Sequence, residues 1–174
     1  VIGAINGAAV GIGATMMCAM DIRLASEKAR IGFVFGKIGI APEGCSTWFL
    51  PRIVGIQQSL KWMMTGEIFD AAEAHSGGLV YEVCAPDDLM GRAYGMARQI
   101  ADNTAPVSSA LIRQMMYRNS ATAHPVEAHK VESLAVFYAS QVDGKEGIAA
   151  FLEKRPANFV SKSSTDMPPF YPWW

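Results

Sequence analysis

The sequence is short of charged residues. Lysine, arginine, aspartate and glutamate make up 18% of its 174 residues, with a net charge of -1, whereas globular proteins average about 25%. The near-zero net charge gives no electrostatic basis for binding nucleic acid or an anionic membrane. The deficit indicates that part of the surface is buried against a partner, such as other copies of the same chain.

Cysteine and histidine are also scarce. The cysteines, Cys18, Cys45 and Cys84, are odd in number and lack the spacing of metal ligands. We interpret them as reduced thiols of an intracellular protein, with the cytoplasm as the expected location. His124 and His129 do not have the HExxH spacing and no third ligand is evident, so no metal site is predicted.

The first twenty residues contain no charged side chain, no leucine and no phenylalanine. The run is long enough for a membrane span, and Gly3, Gly7 and Gly11 form a GxxxG pattern. The turn dipeptide Asn6-Gly7 and the abundance of alanine and glycine argue against such a span. A dinucleotide-binding loop is not supported either, because Met16 occupies the position of the third glycine.

The order of signals in this run predicts a strand, a glycine turn and a helix. Val1–Ile5 is typical of a strand and Gly11–Met20 of a helix, with a turn of small residues between them. Gly11 and Gly13 allow a ligand to approach the backbone, and Ile12 would offer its N–H at the first helical turn. Such an amide suits an oxyanion or a phosphate. Close packing of the helix on a sheet explains the glycines equally well.

The rest of the chain carries strand signals early and helix signals late. Asp70 is a predicted helix N-cap. We expect a core over residues 1–105, a helical region over 106–160 and an aromatic-rich tail over 161–174. The tail should dock on its own chain or on a neighbouring subunit, because its aromatic side chains would otherwise form an exposed apolar patch. Strands are predicted over 21–26, 29–33 and 79–83, and helices over 45–54, 56–65, 71–76, 87–100, 106–118, 124–140 and 143–155.

Three stretches together resemble the crotonase, or enoyl-CoA hydratase/isomerase, superfamily. They are VIGAINGAAVGIGATMMCAMDIRLASEKARIGF, then GIAPEGCSTWFLPRIVG with MTGEIFDAAEAHSGGLVYEV, and finally GKEGIAAFLEKRPANF. The resemblance implies an α/β fold with a ββα spiral core and a C-terminal helical oligomerisation region. It also implies a homotrimer or a dimer of trimers, and an N-terminal ββαβ portion that we expect to be missing from this chain.

The resemblance implies an acyl-CoA thioester as the substrate, but not the usual hydratase chemistry. Hydratases of this superfamily use two glutamates to add water across an α,β double bond. The matching positions here appear as Thr15 and Phe35, and neither side chain can act as an acid or a base. A standard two-glutamate mechanism is therefore not expected.

Glu43, in the stretch IAPEGCST, matches the catalytic base of the peroxisomal-type enoyl-CoA isomerases. The resemblance thus implies that Glu43 moves a proton while the Ile12 amide stabilises the enolate oxygen. The reaction would shift a C=C bond from the β,γ to the α,β position. We expect Ile38, Ile40 and Trp48 to help form an apolar pocket around Glu43. The alternative is that Glu43 only caps the next helix or faces solvent.

The other predicted site residues are assigned to substrate binding. Gly11, Gly13, Phe35 and Trp48 are expected to line the thioester site, and Lys154 matches a superfamily lysine that reaches the phosphates of coenzyme A. No cofactor is implied beyond the coenzyme A of the substrate. A hydratase with a variant mechanism, another enolate reaction such as thioester hydrolysis, and a non-catalytic module that binds acyl-CoA or protein remain open alternatives.

Overall fold

The computed structural model describes residues 1–174, the whole of the sequence. The chain divides into two compact units, Val1–Ala97 and Arg98–Trp174. The first unit mixes strands and helices, whereas the second contains helices and the C-terminal tail. None of the helices combines the length and the apolar character needed to cross a membrane.

The strands of the first unit form two small sheets. They are β1 (Ile2–Ile5), β2 (Ala8–Val10), β3 (Ile22–Ser26), β4 (Arg30–Gly32), β5 (Ile68–Asp70) and β6 (Glu82–Cys84). One sheet has the order β1-β3-β6 and is parallel throughout. In the other, β4 pairs in parallel with β2 and antiparallel with β5. The chain therefore passes from one sheet to the other at the turn Asn6-Gly7, and β2 then leads through Gly11 into α1.

The helices of the first unit alternate with its strands along the chain. Asp70 caps α4, as the sequence predicts, by accepting a hydrogen bond from the Glu73 N–H at 2.8 Å. The division between the two units falls within α5. The helices are α1 (Ile12–Cys18), a 3-10 helix (Val34–Ile38), α2 (Ser46–Val54), α3 (Ile56–Thr65), α4 (Ala71–Ser76) and α5 (Leu89–Asn103).

Three aromatic rings form the centre of the first unit. Trp62 and Phe69 stack with their ring centroids 4.3 Å apart, and Phe33 lies 6.4 Å from each of them. The Trp62 Nε1–H donates to Glu73 Oε1 at 2.8 Å, so the one polar atom of the indole is satisfied. The cluster joins α3 to β5 and to Phe33, the residue that follows β4.

A buried arginine fastens α1 to the parallel sheet. Arg23, on β3, donates from Nη1 to the carbonyl oxygens of Met17 and Met20 at 3.2 and 2.5 Å. Its Nε donates to the Leu79 carbonyl at 2.7 Å. A cation at the C-terminal end of a helix interacts favourably with the helix dipole. Arg23 therefore holds the far end of α1, and so helps to set where its first turn lies.

The second unit contains the end of α5, three further helices and the tail. The helices are α6 (Pro106–Asn119), α7 (Pro125–Gln141) and α8 (Asp143–Glu153). Its hydrophobic cluster contains the buried residues Val107, Leu111 and Ala135, and the partly buried side chains packed against them are Met115, Met167, Phe170, Tyr171 and Trp173. Four of those five belong to the tail, which therefore docks on its own chain, one of the two outcomes that the sequence predicts.

A charged clamp closes the C-terminal end of α8. The Arg155 guanidinium donates to both carboxylate oxygens of Glu146, at 2.6 and 2.9 Å, and the Asn158 N–H donates to Oε1 at 2.8 Å. These bonds, the Arg155 contact first, lower the pKa of Glu146 from the ordinary 4.5 to about 2. The chain after α8 is thereby tied back to the helix.

Candidate active site

The first element of the site is the start of α1. Gly11 precedes the helix with a φ of 59°, a left-handed conformation that glycine adopts without steric cost. Its N–H donates to the Gly32 carbonyl at 3.0 Å, which ties the turn to β4. The Gly11 carbonyl accepts from the N–H groups of Ala14 and Thr15, while the Ile12 N–H has no backbone acceptor. That amide keeps its capacity to donate, as expected at the first turn of a helix.

Neither glycine of the turn is required by packing within the chain. A Cβ on Gly11 would meet no atom within 4 Å, and one on Gly13 would meet only the Ala9 Cβ at 3.9 Å, an ordinary contact. Gly11 is explained by its positive φ. The space beside Gly13 is open, which favours ligand approach over helix-on-sheet packing as the reason for a glycine there.

The second element is the turn that carries Glu43. The Glu43 carbonyl oxygen accepts from both the N–H and the hydroxyl of Ser46, at 3.1 and 2.7 Å. Gly44 and Cys45 follow with φ angles of 63° and 56°, and the left-handed region costs a non-glycine residue roughly 1–2 kcal/mol. The two bonds from the buried Ser46 help to offset that cost. These hydrogen bonds therefore hold the backbone at Glu43 in one conformation.

Thr15 joins the two elements. Its hydroxyl donates to Glu43 Oε1 at 2.5 Å and lies 3.2 Å from the Ile12 carbonyl oxygen. Holding a glutamate in one rotamer costs up to about 2 kcal/mol, whereas a hydrogen bond to a charged group contributes roughly 1.5–3 kcal/mol. Thr15 is fully buried and Glu43 is exposed. The contribution of this hydrogen bond is therefore comparable to the cost of fixing the side chain, so it can hold the exposed Glu43 carboxylate beside the first turn of α1.

The small residue after Glu43 allows this contact. A Cβ on Gly44 would lie 3.4 Å from Thr15 Oγ1 and 3.5 Å from Thr15 Cβ. These are ordinary contact distances, but Gly44 has a φ of 63°, so a side chain there would strain the backbone of the turn. The turn and α1 thus approach each other through Gly44 and Thr15.

The apolar enclosure expected around Glu43 is incomplete. Ile38 and Ile40 are 64% and 55% exposed, and Ile12 is 70% exposed. These three side chains lie at the surface of the first unit and not in its core. The chain by itself therefore does not enclose Glu43 in a dry pocket.

The remaining predicted site residues are spread over both units. Phe35, in the 3-10 helix, is buried within the core of the first unit. Trp48, on α2, is half-buried, with its ring 4.8 Å from that of Phe49 and 4.0 Å from the Arg52 guanidinium carbon. Lys154 is exposed, follows α8 with a φ of 54° and belongs to the second unit. Within the first unit, the structure brings together Glu43 and the α1 turn, whereas Phe35 belongs to the core and Trp48 packs on Phe49 and Arg52.

The cysteine thiols are free and differ in their surroundings. Burial raises the pKa of the Cys18 thiol to about 11, partly opposed by Arg23. Partial burial, followed by the nearby carboxylates of Glu82 and Asp88, raises the pKa of Cys84. Cys45 is exposed beside the Glu43 turn. No three His, Cys, Asp or Glu side chains converge into a group that could hold a metal ion.

Sequence reasoning gave no role to two residues that shape the site. The sequence marks Thr15 only as a position without an acid, and it gives no indication of a role for Ser46. The signal in the sequence is a hydroxyl residue within an apolar predicted helix, three positions after Ile12. A buried hydroxyl needs a partner, and the helix offers one carbonyl. The second partner, on a turn 28 residues away, is visible only in the structure.

Comparison with known proteins identifies the family. Residues 1–162 match the sequence profile of the family described as "Enoyl-CoA hydratase/isomerase". The chain is 40% identical to the enoyl-CoA hydratase ACTT3 of Alternaria alternata, over 91% of this chain and 53% of that protein. It is 33% identical to the 1,2-epoxyphenylacetyl-CoA isomerase of Escherichia coli strain K12, over 93% of this chain and 62% of that protein.

A solved structure confirms the fold. The crystal structure of an enoyl-CoA hydratase from Bacillus anthracis superimposes with a TM-score of 0.86 at 30% identity, over 91% of this chain and 61% of that one. The crotonase-like α/β fold implied by the sequence is therefore confirmed. The chain spans about half the length of the first relative named above. On the profile match and these relatives, the chain belongs to the enoyl-CoA hydratase/isomerase family.

Proposed function

We propose that the protein containing this chain shifts a C=C bond of a fatty enoyl-CoA from the β,γ to the α,β position. The observation that carries this assignment is the Thr15–Glu43 hydrogen bond, which places a carboxylate beside the first turn of α1. Family membership supports a coenzyme A thioester as the substrate. No cofactor beyond that coenzyme A is required, because the substrate is neither oxidised nor reduced.

In this reaction Glu43 acts as the base. It removes a proton from the carbon between the thioester carbonyl and the double bond, and the C–H electron pair moves into an enolate. The Ile12 N–H donates a hydrogen bond to the enolate oxygen. Glu43 then returns the proton to the γ carbon, the carbonyl re-forms, and the double bond lies in the α,β position. Atoms and electrons balance without a second reactant.

The two contributions have known sizes. A positioned general base accelerates proton transfer by about 10²–10⁴, and one oxyanion donor contributes about 10²–10³. One carboxylate is enough for this transfer because the proton leaves and re-enters the same molecule. By contrast, the two positions matched to hydratase glutamates hold Thr15, which donates to Glu43, and Phe35, which is buried. This supports an isomerase over a two-glutamate hydratase.

A hydratase with a variant mechanism is the second candidate. It is favoured by the names of relatives such as ACTT3 and the crotonyl-CoA hydratase of Syntrophomonas wolfei subsp. wolfei. In that case Glu43 would activate a water molecule instead of a carbon-bound proton. The two reactions use different substrates, so a direct assay separates them.

The test is to assay the protein, at its natural length, with a β,γ-enoyl-CoA and an α,β-enoyl-CoA in separate reactions. We expect the β,γ substrate to be converted to the conjugated thioester, with no 3-hydroxyacyl-CoA formed. Turnover of the α,β substrate alone, to the 3-hydroxy product, would assign a hydratase. Tight binding of coenzyme A thioesters without turnover of either would assign a binding module.

We further propose that Lys154 contacts the phosphates of coenzyme A and that the protein forms a homotrimer or a dimer of trimers. The exposed ammonium of Lys154 suits a phosphate. Assembly is supported by large apolar side chains exposed on α7 and α8, namely Val136, Phe137, Ile148, Phe151 and Leu152. Sedimentation equilibrium measures the assembly, and a purely monomeric protein would contradict it.

A further inference from the structure

We propose that Thr15 is a positioning residue that holds Glu43 Oε1 and leaves Oε2 as the oxygen that takes and returns the proton. This inference rests on the proposed function and adds a residue with a defined task to it. The Thr15 hydroxyl donates to Oε1 at 2.5 Å. Oε2 has no such bond from the protein, so it is the oxygen free to face the substrate.

The position of the Thr15 hydroxyl is fixed by its surroundings. The residue is fully buried, and its N–H donates to the Gly11 carbonyl at 3.1 Å. The Gly44 backbone lies next to the Thr15 side chain, since a Cβ on Gly44 would contact Oγ1 at 3.4 Å and the Thr15 Cβ at 3.5 Å. The position of the Thr15 hydroxyl is therefore set by the fold, and the hydrogen bond to it positions the exposed Glu43 carboxylate.

The same hydroxyl has a second possible partner, the Ile12 carbonyl on its own helix. Threonine in a helix commonly donates to such a carbonyl, which would give it a merely local role. The distances separate the two roles, because Oγ1 lies 2.5 Å from Glu43 Oε1 and 3.2 Å from the Ile12 oxygen. A carboxylate is also the stronger acceptor, since it is charged.

A hydroxyl suits both protonation states of the base. While Glu43 is ionised, Thr15 donates to Oε1. After the proton has moved from the substrate to Oε2, Oε1 is the carbonyl-like oxygen of the acid and still accepts from Thr15. The carboxyl group therefore need not rotate between removal and return of the proton. Valine has the shape of threonine but can neither donate nor accept, whereas serine retains the hydroxyl.

The test uses Thr15→Val and Thr15→Ser as a matched pair in the natural-length protein, with Glu43→Gln alongside. The substrate is a β,γ-enoyl-CoA, and kcat and KM are measured separately. We expect Thr15→Val to lower kcat by about ten- to a hundredfold, the size of a hydrogen bond to a charged group. KM should change by less than about threefold, because Thr15 does not bind substrate, and Thr15→Ser should restore most of kcat.

The outcomes distinguish failure of this inference from failure of the proposed function. If Glu43→Gln abolishes turnover while Thr15→Val keeps the native kcat, Thr15 has no positioning role and Glu43 remains the base. If Glu43→Gln keeps the native rate, the proposed function itself fails. If Thr15→Ser is as slow as Thr15→Val, the hydroxyl is not what matters and the inference is overturned. Thr15→Ala replaces Thr15→Val in the same comparison if the valine variant does not fold.

Discussion

The two units of the chain bury their apolar residues to very different extents. The core of the first unit contains sixteen buried residues, whereas that of the second contains three, supplemented by side chains of the tail. A densely packed core holds neighbouring elements in one arrangement. The contact between Thr15 and the Glu43 turn lies on the unit that has such a core.

The second unit instead leaves large apolar side chains on its surface. Phe151 is 83% exposed and Phe137 is 57% exposed, and part of the remaining apolar surface is covered by the tail. Exposed apolar surface of this kind is typical of regions that bind a partner. The difference teaches that the first unit is organised by its own interior, while the second depends on its tail and leaves apolar side chains of its helices exposed.

The largest expected effect tests the core of the first unit. Trp62→Ala should destabilise that unit by about 3–5 kcal/mol, because it removes a buried aromatic side chain and leaves a cavity. Trp62 is 1% exposed. Amide hydrogen exchange should show lost protection within Val1–Ala97 and little change within Arg98–Trp174. Trp174→Ala, at a tryptophan that is 50% exposed, is the control, and equal losses in both units would contradict the comparison.

A smaller effect is expected when the tail is loosened. Phe170 lies 5.7 Å from the Tyr138 ring and 6.0 Å from the Trp173 ring. Since it is only partly buried, Phe170→Ala should cost about 2 kcal/mol, less than a full core deletion, with the loss confined to the second unit. The matched control is Phe151→Ala in the monomeric state, where an exposed position should change stability by less than about 0.5 kcal/mol. A silent Phe170→Ala would mean that the tail does not hold the second unit together.

The smallest effect concerns the α8 clamp and is lost in acid. Arg155 and the Asn158 N–H hold the pKa of Glu146 at about 2, below its ordinary 4.5. Because the folded-state pKa is lowered, the ionised carboxylate stabilises the fold above about pH 4.5 and this contribution is lost as the pH falls towards 2. Thermal melts should show a difference in melting temperature between the native protein and Glu146→Gln that becomes smaller as the pH falls over that range. Glu127→Gln is the control. A difference in melting temperature between the native protein and Glu146→Gln that stays constant down to pH 2 would refute the clamp.

Long elements with clear end signals could be predicted from the sequence. The helix predicted over 56–65 has the limits that the structure shows, Ile56–Thr65, and Gly55 and Gly66 cap it. The predicted Asp70 cap is also confirmed. Helix periodicity and capping are local properties, so a single sequence is enough to reveal them.

Short elements that depend on distant partners could not be predicted. β2 and β5 are three residues long and each pairs with β4, and β2 falls where a turn was expected. The strand predicted over 79–83 was wrong at its start. The Leu79 and Val80 N–H groups both donate to the Ala74 carbonyl, so these buried residues close a helix, and the strand begins at Glu82.

The same limit applies to the site. The resemblance pointed to Glu43 and Ile12, but it could not show what connects them. The connection is a hydrogen bond between residues 28 positions apart, formed because Gly44 lets the turn approach α1. The prediction of apolar surroundings for Glu43 rested on residues near it in the sequence. Ile38 and Ile40 are exposed, which shows that residues close in sequence need not enclose a side chain.

The most direct test of the central claim is the rate of Glu43→Gln with a β,γ-enoyl-CoA. Glutamine keeps the size of the side chain and can still accept from Thr15, but it cannot take up the proton. We predict that kcat falls by about 10²–10⁴, the contribution of a positioned general base, while binding of the thioester is retained. A variant that shifts the double bond at the native rate would contradict the assignment of Glu43 as the base.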